Sequence, residues 1–107
     1  MCGNSRWRRP KLVNIYLLQV GDSNIYKIGY TSNSVKERLR TVRYYIKDIK
    51  LISYVFCKFE LEKILHTKFK DKNNKNNFGY TEYFELNNED VDYVINIFNE
   101  IRNGKTD

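Results

Sequence analysis

Two apolar runs, Leu12 to Val20 and Ile25 to Tyr30, flank four turn-forming residues, Gly21-Asp22-Ser23-Asn24. Strand-length apolar segments separated by such a cluster read as a β-hairpin. With Asp22-Ser23 at the centre of an even-length loop, Val20 pairs with Ile25, Leu18 with Lys27, and Tyr16 with Gly29. Side chains alternate between the two faces of a strand. Tyr16, Leu18, Lys27 and Gly29 therefore share one face, and Val13, Ile15, Leu17, Tyr26 and Ile28 form a core surface on the other. One face buries. The other offers a phenol, an ammonium, and a glycine gap through which a substrate reaches the backbone. An odd-length loop would part Tyr16 from Lys27. Taken alone, the same residues also suit an ordinary half-buried hairpin with one exposed Tyr and one exposed Lys.

The rest of the chain sets the limits. Its 107 residues suit one domain with one modest core. Hydrophobic residues make up 41% and aromatics 15%, enough apolar surface for that core. No apolar run approaches the roughly 20 residues that cross a bilayer. Met1 to Pro10 has Arg6, Trp7, Arg8 and Arg9 but no long apolar segment after them, unlike a secretory signal. A soluble, intracellular protein is expected, with no membrane partner. The formal charge of +6 favours a polyanionic partner, most often nucleic acid. Cys2 and Cys57 have no metal-ligand spacing with each other or with His66, and no disulfide framework is expected. Cys57 reads as a small hydrophobe in or beside a strand.

In chain order, residues 1–11 read as a basic leader, 12–103 as a single domain and 104–107 as a tail. Ser34-Val35-Lys36-Glu37 has the pattern of a capping box. Val35, Leu39, Val42 and Ile46 follow at helical spacing and form a buried stripe. Arg38 lies one turn before Val42 at the edge of that stripe, so it emerges beside the sheet, whereas Lys36, Arg40 and Arg43 read as solvated. Ile49 to Phe56 reads as a strand and Phe59 to Lys70 as a helix. On that helix Leu61, Leu65 and Phe69 form the apolar stripe, and Glu62 and His66 fall four apart on an adjacent face. Asp71 to Asn77 is a Lys/Asn-rich loop. Tyr80 to Leu86 reads as a short closing strand. Asn88 is then an N-cap for a helix with Val91, Val94, Ile95, Phe98 and Ile101 on its buried side. The fold class expected is α+β: a small mixed or antiparallel three-stranded sheet, the hairpin plus one strand, flanked by helices.

This constellation resembles the GIY-YIG endonuclease superfamily over about residues 12 to 100, and more closely its branch in phages and large DNA viruses. Asn14-Ile15-Tyr16 stands for the first motif, with Asn in place of the name-giving Gly. Tyr26-Lys27-Ile28-Gly29 stands for the second, with Lys27 in place of the usual Tyr. Lys27 is 11 positions after Tyr16, and Arg38 is another 11 on, where the family keeps its helix arginine. Glu62 to Phe69 is similar to the branch's E-x-x-L-H-x-x-F pattern, and Thr81-Glu82-Tyr83-Phe84 to its following G-E-W-F-like segment. One departure concerns the position a helical turn after the arginine. Many active members place His or Tyr there, and this chain has Val42. Either His66, Tyr44 or Tyr45 substitutes, or the site is catalytically weakened.

The resemblance implies metal-dependent hydrolysis of DNA phosphodiesters. Tyr16 would act as general base or as the relay that deprotonates water. A free phenol has a pKa of about 10, so Lys27 and Arg38 would favour the phenolate by their charge. Arg38 would also hold a non-bridging phosphate oxygen. Glu62 would be the one carboxylate on a single Mg²⁺ or Mn²⁺ ion, with waters and phosphate oxygens completing the shell. His66 would position a water or serve as an acid. The four residues Tyr16, Lys27, Arg38 and Glu62 are expected on one concave face. The alternative is a DNA-binding module that keeps the fold without turnover. A third possibility is a small interaction domain whose partner is not nucleic acid. A domain this small leaves little room for a specificity module, so strong sequence selectivity would need a homodimer or an outside partner.

Overall fold

A computed structural model describes residues 11–73 and 83–104. The Arg-rich segment 1–10, residues 74–82 with most of the Lys/Asn run and the Tyr80-to-Glu82 start of the expected closing strand, and the tail 105–107 lie outside the described residues.

The hairpin takes the even-loop register. Strands β1 (Leu12–Val20) and β2 (Ile25–Thr31) pair antiparallel, with Tyr16 opposite Gly29 and Leu18 opposite Lys27. Gly21 opens the turn with φ +55°, a left-handed conformation that glycine adopts without steric cost. Its N–H donates to the Asp48 carbonyl at 2.5 Å, and a Cβ there would lie 2.9 Å from the Asp48 carboxylate. Ser23 closes the turn by donating its backbone N–H to the Val20 carbonyl at 3.1 Å.

Helix α1 (Val35–Tyr45) starts at Ser34, whose hydroxyl accepts the Glu37 N–H at 3.1 Å. Strand β3 (Ile49–Lys58) returns antiparallel along the outer side of β1. Between Leu17 and Leu18 its register slips, leaving Ile52 as the extra residue of a bulge. Helix α2 (Glu60–Lys68) follows, then a 3₁₀ turn at Lys70–Lys72. The short strand β4 (Tyr83–Glu85) joins the sheet on the far side of β2, so the expected three strands become four, in the order β3-β1-β2-β4. Helix α3 (Asn88–Arg102) ends the fold; its N-cap is Asn87, one residue before the expected Asn88. Asn87 and Asp90 form a reciprocal capping box, with Asp90 N–H to Asn87 Oδ1 at 2.8 Å and Asn87 N–H to Asp90 Oδ2 at 3.2 Å.

Among the described residues, the α+β architecture is thus a four-stranded antiparallel sheet with three α-helices. Alternation on β1 divides the interior in two. Val13, Ile15 and Leu17 face a larger core closed by Leu65 of α2, Phe69 at its C-cap, and Val94 and Phe98 of α3. Tyr16 and Leu18 face a smaller core closed by Val35 and Val42 of α1. Both faces bury. The Tyr16 side was expected to be open, but Leu18 beside Tyr16 also needs cover, and the α1 stripe supplies it. Among the described residues, no helix is long and apolar enough to cross a membrane.

Candidate functional site

Tyr16 sits at the middle of β1 and is 1% exposed, in the smaller core with Val35 and Val42. Position 42 is therefore a packing position, which accounts for valine there. Tyr44 and Tyr45, the suggested substitutes, are 82% and 73% exposed at the end of α1, their rings packed edge-on.

Lys27 lies on the same face as Tyr16. Tyr16 faces Gly29, and Lys27 is two residues along β2 from Gly29. Such diagonal neighbours are roughly 7–8 Å apart, within reach of long side chains. Lys27 is 9% exposed, and its Nζ lies 4.9 Å from the centre of the Tyr83 ring, a cation–π contact. Arg38 is half-buried on the first half of α1. It lines a polar cleft of about 350 Å³ with Lys11, Tyr30, Thr31, Ser32 and Asn33, at the end of β2. The edge position read from the helix stripe is the one observed. Asn14 holds the neighbouring loop in place by donating Nδ2–H to the Asn33 carbonyl at 3.0 Å.

Glu62 and His66 form a second group. The stripe of α2 packs into the larger core, on the sheet face opposite α1. Strand β4 pairs only with Ile25 to Lys27, so β2 runs on past it. His66 reaches that stretch, with Nε2 2.7 Å from the Ile28 carbonyl oxygen. A carbonyl only accepts, so Nε2 carries the proton and Nδ1 is the ring nitrogen left for a water or proton role. Glu62 is 7% exposed, with its Oε2 3.7 Å from the same Nε2. At that length the contact is electrostatic and not a hydrogen bond. Tyr16, Lys27 and Arg38 lie towards α1, and Glu62 with His66 lies on α2, which meets the sheet at the edge of β2 that runs past β4.

A divalent cation fits this donor set in one way only. Among the described residues, no group of three or more His, Cys, Asp or Glu side chains is placed to hold a metal. Glu62 would therefore be the single protein carboxylate, a mode Mg²⁺ accepts when waters and phosphate oxygens complete its octahedron.

The motif reading passed over two rings on β3. Tyr54 and Phe56 stand opposite Tyr16 and Asn14 and are 44% and 60% exposed. Their signal in the sequence is an aromatic pair two apart, followed at the same interval by Lys58. Cys57, next after Phe56, points to the other face, where burial pushes its thiol pKa up to about 11 and leaves it a neutral hydrophobe.

Comparison with known proteins corrects the family. The model of the T5orf172 domain matches residues 14–99, and it is this family, not the GIY-YIG superfamily, that the chain matches. No curated protein and no solved structure matches the chain. The pieces behind the earlier resemblance were short, and three of them departed from its pattern: Asn14 for Gly, Lys27 for Tyr, and Val42 for His or Tyr. Tyrosine on a hairpin and a stripe-edge arginine are common to many small sheets. The match spans most of the chain, including both strands of the hairpin and all three helices in large part. The chain belongs to the T5orf172 domain family.

Proposed function

We propose that this domain is a nuclease that hydrolyses DNA phosphodiesters with a divalent cation. One observation carries the reading. Among the described residues, Lys27 and Glu62 are the buried charged side chains, and Tyr16 is buried with them. Lys and Glu are almost never buried without a specific partner. Groups that are costly to desolvate tend to cluster where chemistry needs them.

In this mechanism Tyr16, as phenolate, takes the proton of the attacking water while the water oxygen bonds to phosphorus. The Lys27 ammonium, diagonal to it, supplies positive charge beside the phenolate. Arg38 holds a non-bridging phosphate oxygen through its planar fork. The ester P–O bond breaks with its electron pair going to the departing oxygen, which takes a proton from solvent water, and Tyr16 returns its own proton to solvent. Glu62 would hold the cation, whose charge stabilises the leaving oxygen. His66 positions Glu62 by fixing α2 to the Ile28 carbonyl.

The second reading is a DNA-binding module without turnover, and the 1% exposure of Tyr16 favours it. Supercoiled plasmid incubated with the protein and Mg²⁺ or Mn²⁺ separates the two. The nuclease nicks plasmid, and Glu62→Gln loses at least 100-fold in rate, on the order of the electrostatic contributions measured at such sites, while still binding DNA in chelator. A wild type that binds DNA but never nicks it supports the module. Glu62→Gln cutting at the wild-type rate would remove Glu62 from the site.

A further inference from the structure

We infer that the open part of the sheet face beside α1 is a platform that stacks the bases of single-stranded DNA. The inference rests on the nuclease reading for the choice of DNA, but its geometry is separate. Tyr54 and Phe56 are two apart on β3, so both rings stand on one face, about 7 Å from each other. They share that face with Tyr16 and Asn14, their direct partners on β1. Helix α1 covers Tyr16, Leu18 and Ile49 and leaves these two rings in solvent. Lys58, exposed and opposite Leu12, continues the row.

Two exposed rings on the open face of a sheet are poor candidates for accidental exposure. Single exposed apolar residues are normal, but Leu12, at 52%, joins Tyr54 and Phe56 in one patch. The chemistry of the patch favours a base over a protein surface. On this face β1 and β2 present Leu12, Asn14, Tyr16, Leu18, Lys27, Gly29 and Thr31, none of them acidic. Cations border the patch at its Leu12 end: Lys58 at the end of β3, and Lys11 with Arg38 at the cleft beyond Asn14. Aromatic rings flanked by cations are the arrangement that holds a single strand, with bases on the rings and phosphates on the charges. A duplex keeps its base faces stacked on each other and has none to offer.

The test measures binding in chelator, so it does not depend on catalysis. A fluorescein-labelled mixed-sequence DNA dodecamer, single-stranded or annealed, is titrated with the full chain and with Tyr54→Ala, Phe56→Ala, Tyr54→Phe and Phe56→Tyr. Tyr93→Ala removes a ring from the other side of the molecule as a control. Each alanine should weaken single-strand binding by about tenfold, within the range for one base–ring contact. The duplex should change little, the ring-retaining variants should bind like wild type, and so should Tyr93→Ala. Both sites are exposed, so thermal melts should stay within a degree or two.

Unchanged single-strand binding in both alanine variants would overturn the platform. So would equal losses for duplex and single strand, which would assign the surface to general attraction. Tighter binding of an RNA dodecamer would overturn the assignment to DNA. A shift from dimer to monomer on Tyr54→Ala, by sedimentation, with DNA affinity intact would make the surface a contact between copies. If wild type never nicks plasmid while the ring dependence holds, the nuclease reading fails and the platform stands.

Discussion

A lysine ammonium that is 9% exposed has lost most of its hydration, and only local electrostatics can return it. At Lys27 the Tyr83 ring provides part of that return. If Lys27 also supports a phenolate on Tyr16, its removal should cut the nicking rate far more than removal of Lys36, which is exposed on α1. Plasmid nicking by Lys27→Ala and Lys36→Ala, followed from pH 7 to pH 10, provides the comparison. Lys27→Ala should recover part of its rate as pH rises, because phenolate then forms without a neighbouring cation. Equal losses in the two variants would mean that both lysines act through overall charge. At this scale the sequence was informative about pairing and poor about depth. Loop parity placed Tyr16 and Lys27 on one face, since a strand's alternation is strict. Their burial depended on what α1 would cover, and nothing local to the hairpin records that. The proton on His66 Nε2 was also hidden, because its acceptor is a backbone carbonyl 38 residues away.

The element whose ends are best specified is α3. Asp90 serves its capping box and also pairs with Lys72 from the 3₁₀ turn, tying that turn to the helix start. Burial alone would raise the Asp90 pKa. The hydrogen bond from Lys72, that from the Asn87 N–H, and the charges of Lys72 and Lys68 outweigh it, and the group is held below its ordinary value. A carboxyl with a lowered folded-state pKa stabilises the fold fully above its unfolded value, about 3.9, and ceases to do so as pH falls through the folded value. Thermal melts of wild type and Asp90→Asn should therefore differ by a constant amount from pH 7 to pH 5. The gap should close below about pH 4. A gap that persists at pH 2.5 would show that the Asp90 charge is not what matters. Elements were the most legible level of the chain: the hairpin, α1, α2 and α3 follow from apolar spacing and cap residues. The bulge at Ile52 was not legible, because it comes from matching β3 to β1 and not from either strand by itself. The closing strand was read at Tyr80 to Leu86, but its pairing with β2 was not, since three paired residues, Tyr83–Glu85, are too few to specify a partner.

For the whole molecule the formal charge is +6. If phosphate contacts dominate DNA affinity, log Kd should rise linearly with log salt concentration, with a slope of roughly 0.9 per duplex phosphate neutralised and roughly 0.7 per single-strand phosphate. Lys58→Ala should lower the single-strand slope by about one contact's worth. A slope near zero in fluorescence titrations between 50 and 300 mM salt would exclude charge as the driver. Three layers, with α1 on one side of the sheet and α2 and α3 on the other, follow from a sheet with apolar residues on both faces. The sequence reading left the Tyr16 face open and so missed this layer, because helix spacing fixes which side of a helix is apolar but not which side of a sheet it covers.

The strand order carries a consequence for synthesis. β1 and β2 are neighbours in sequence, but β2 is completed by β4, with Ile25 facing Glu85. The larger core likewise waits for Phe84, Leu86, Val94 and Phe98. While the chain emerges from the ribosome, the hairpin, α1, β3 and α2 are available first, and one side of the sheet lacks half its cover. Vectorial synthesis therefore gives a partly built sheet with a bare apolar side and an unsealed β2 edge until Tyr83 to Arg102 have emerged. Contacts this distant in sequence form late and leave such a nascent chain open to wrong partners.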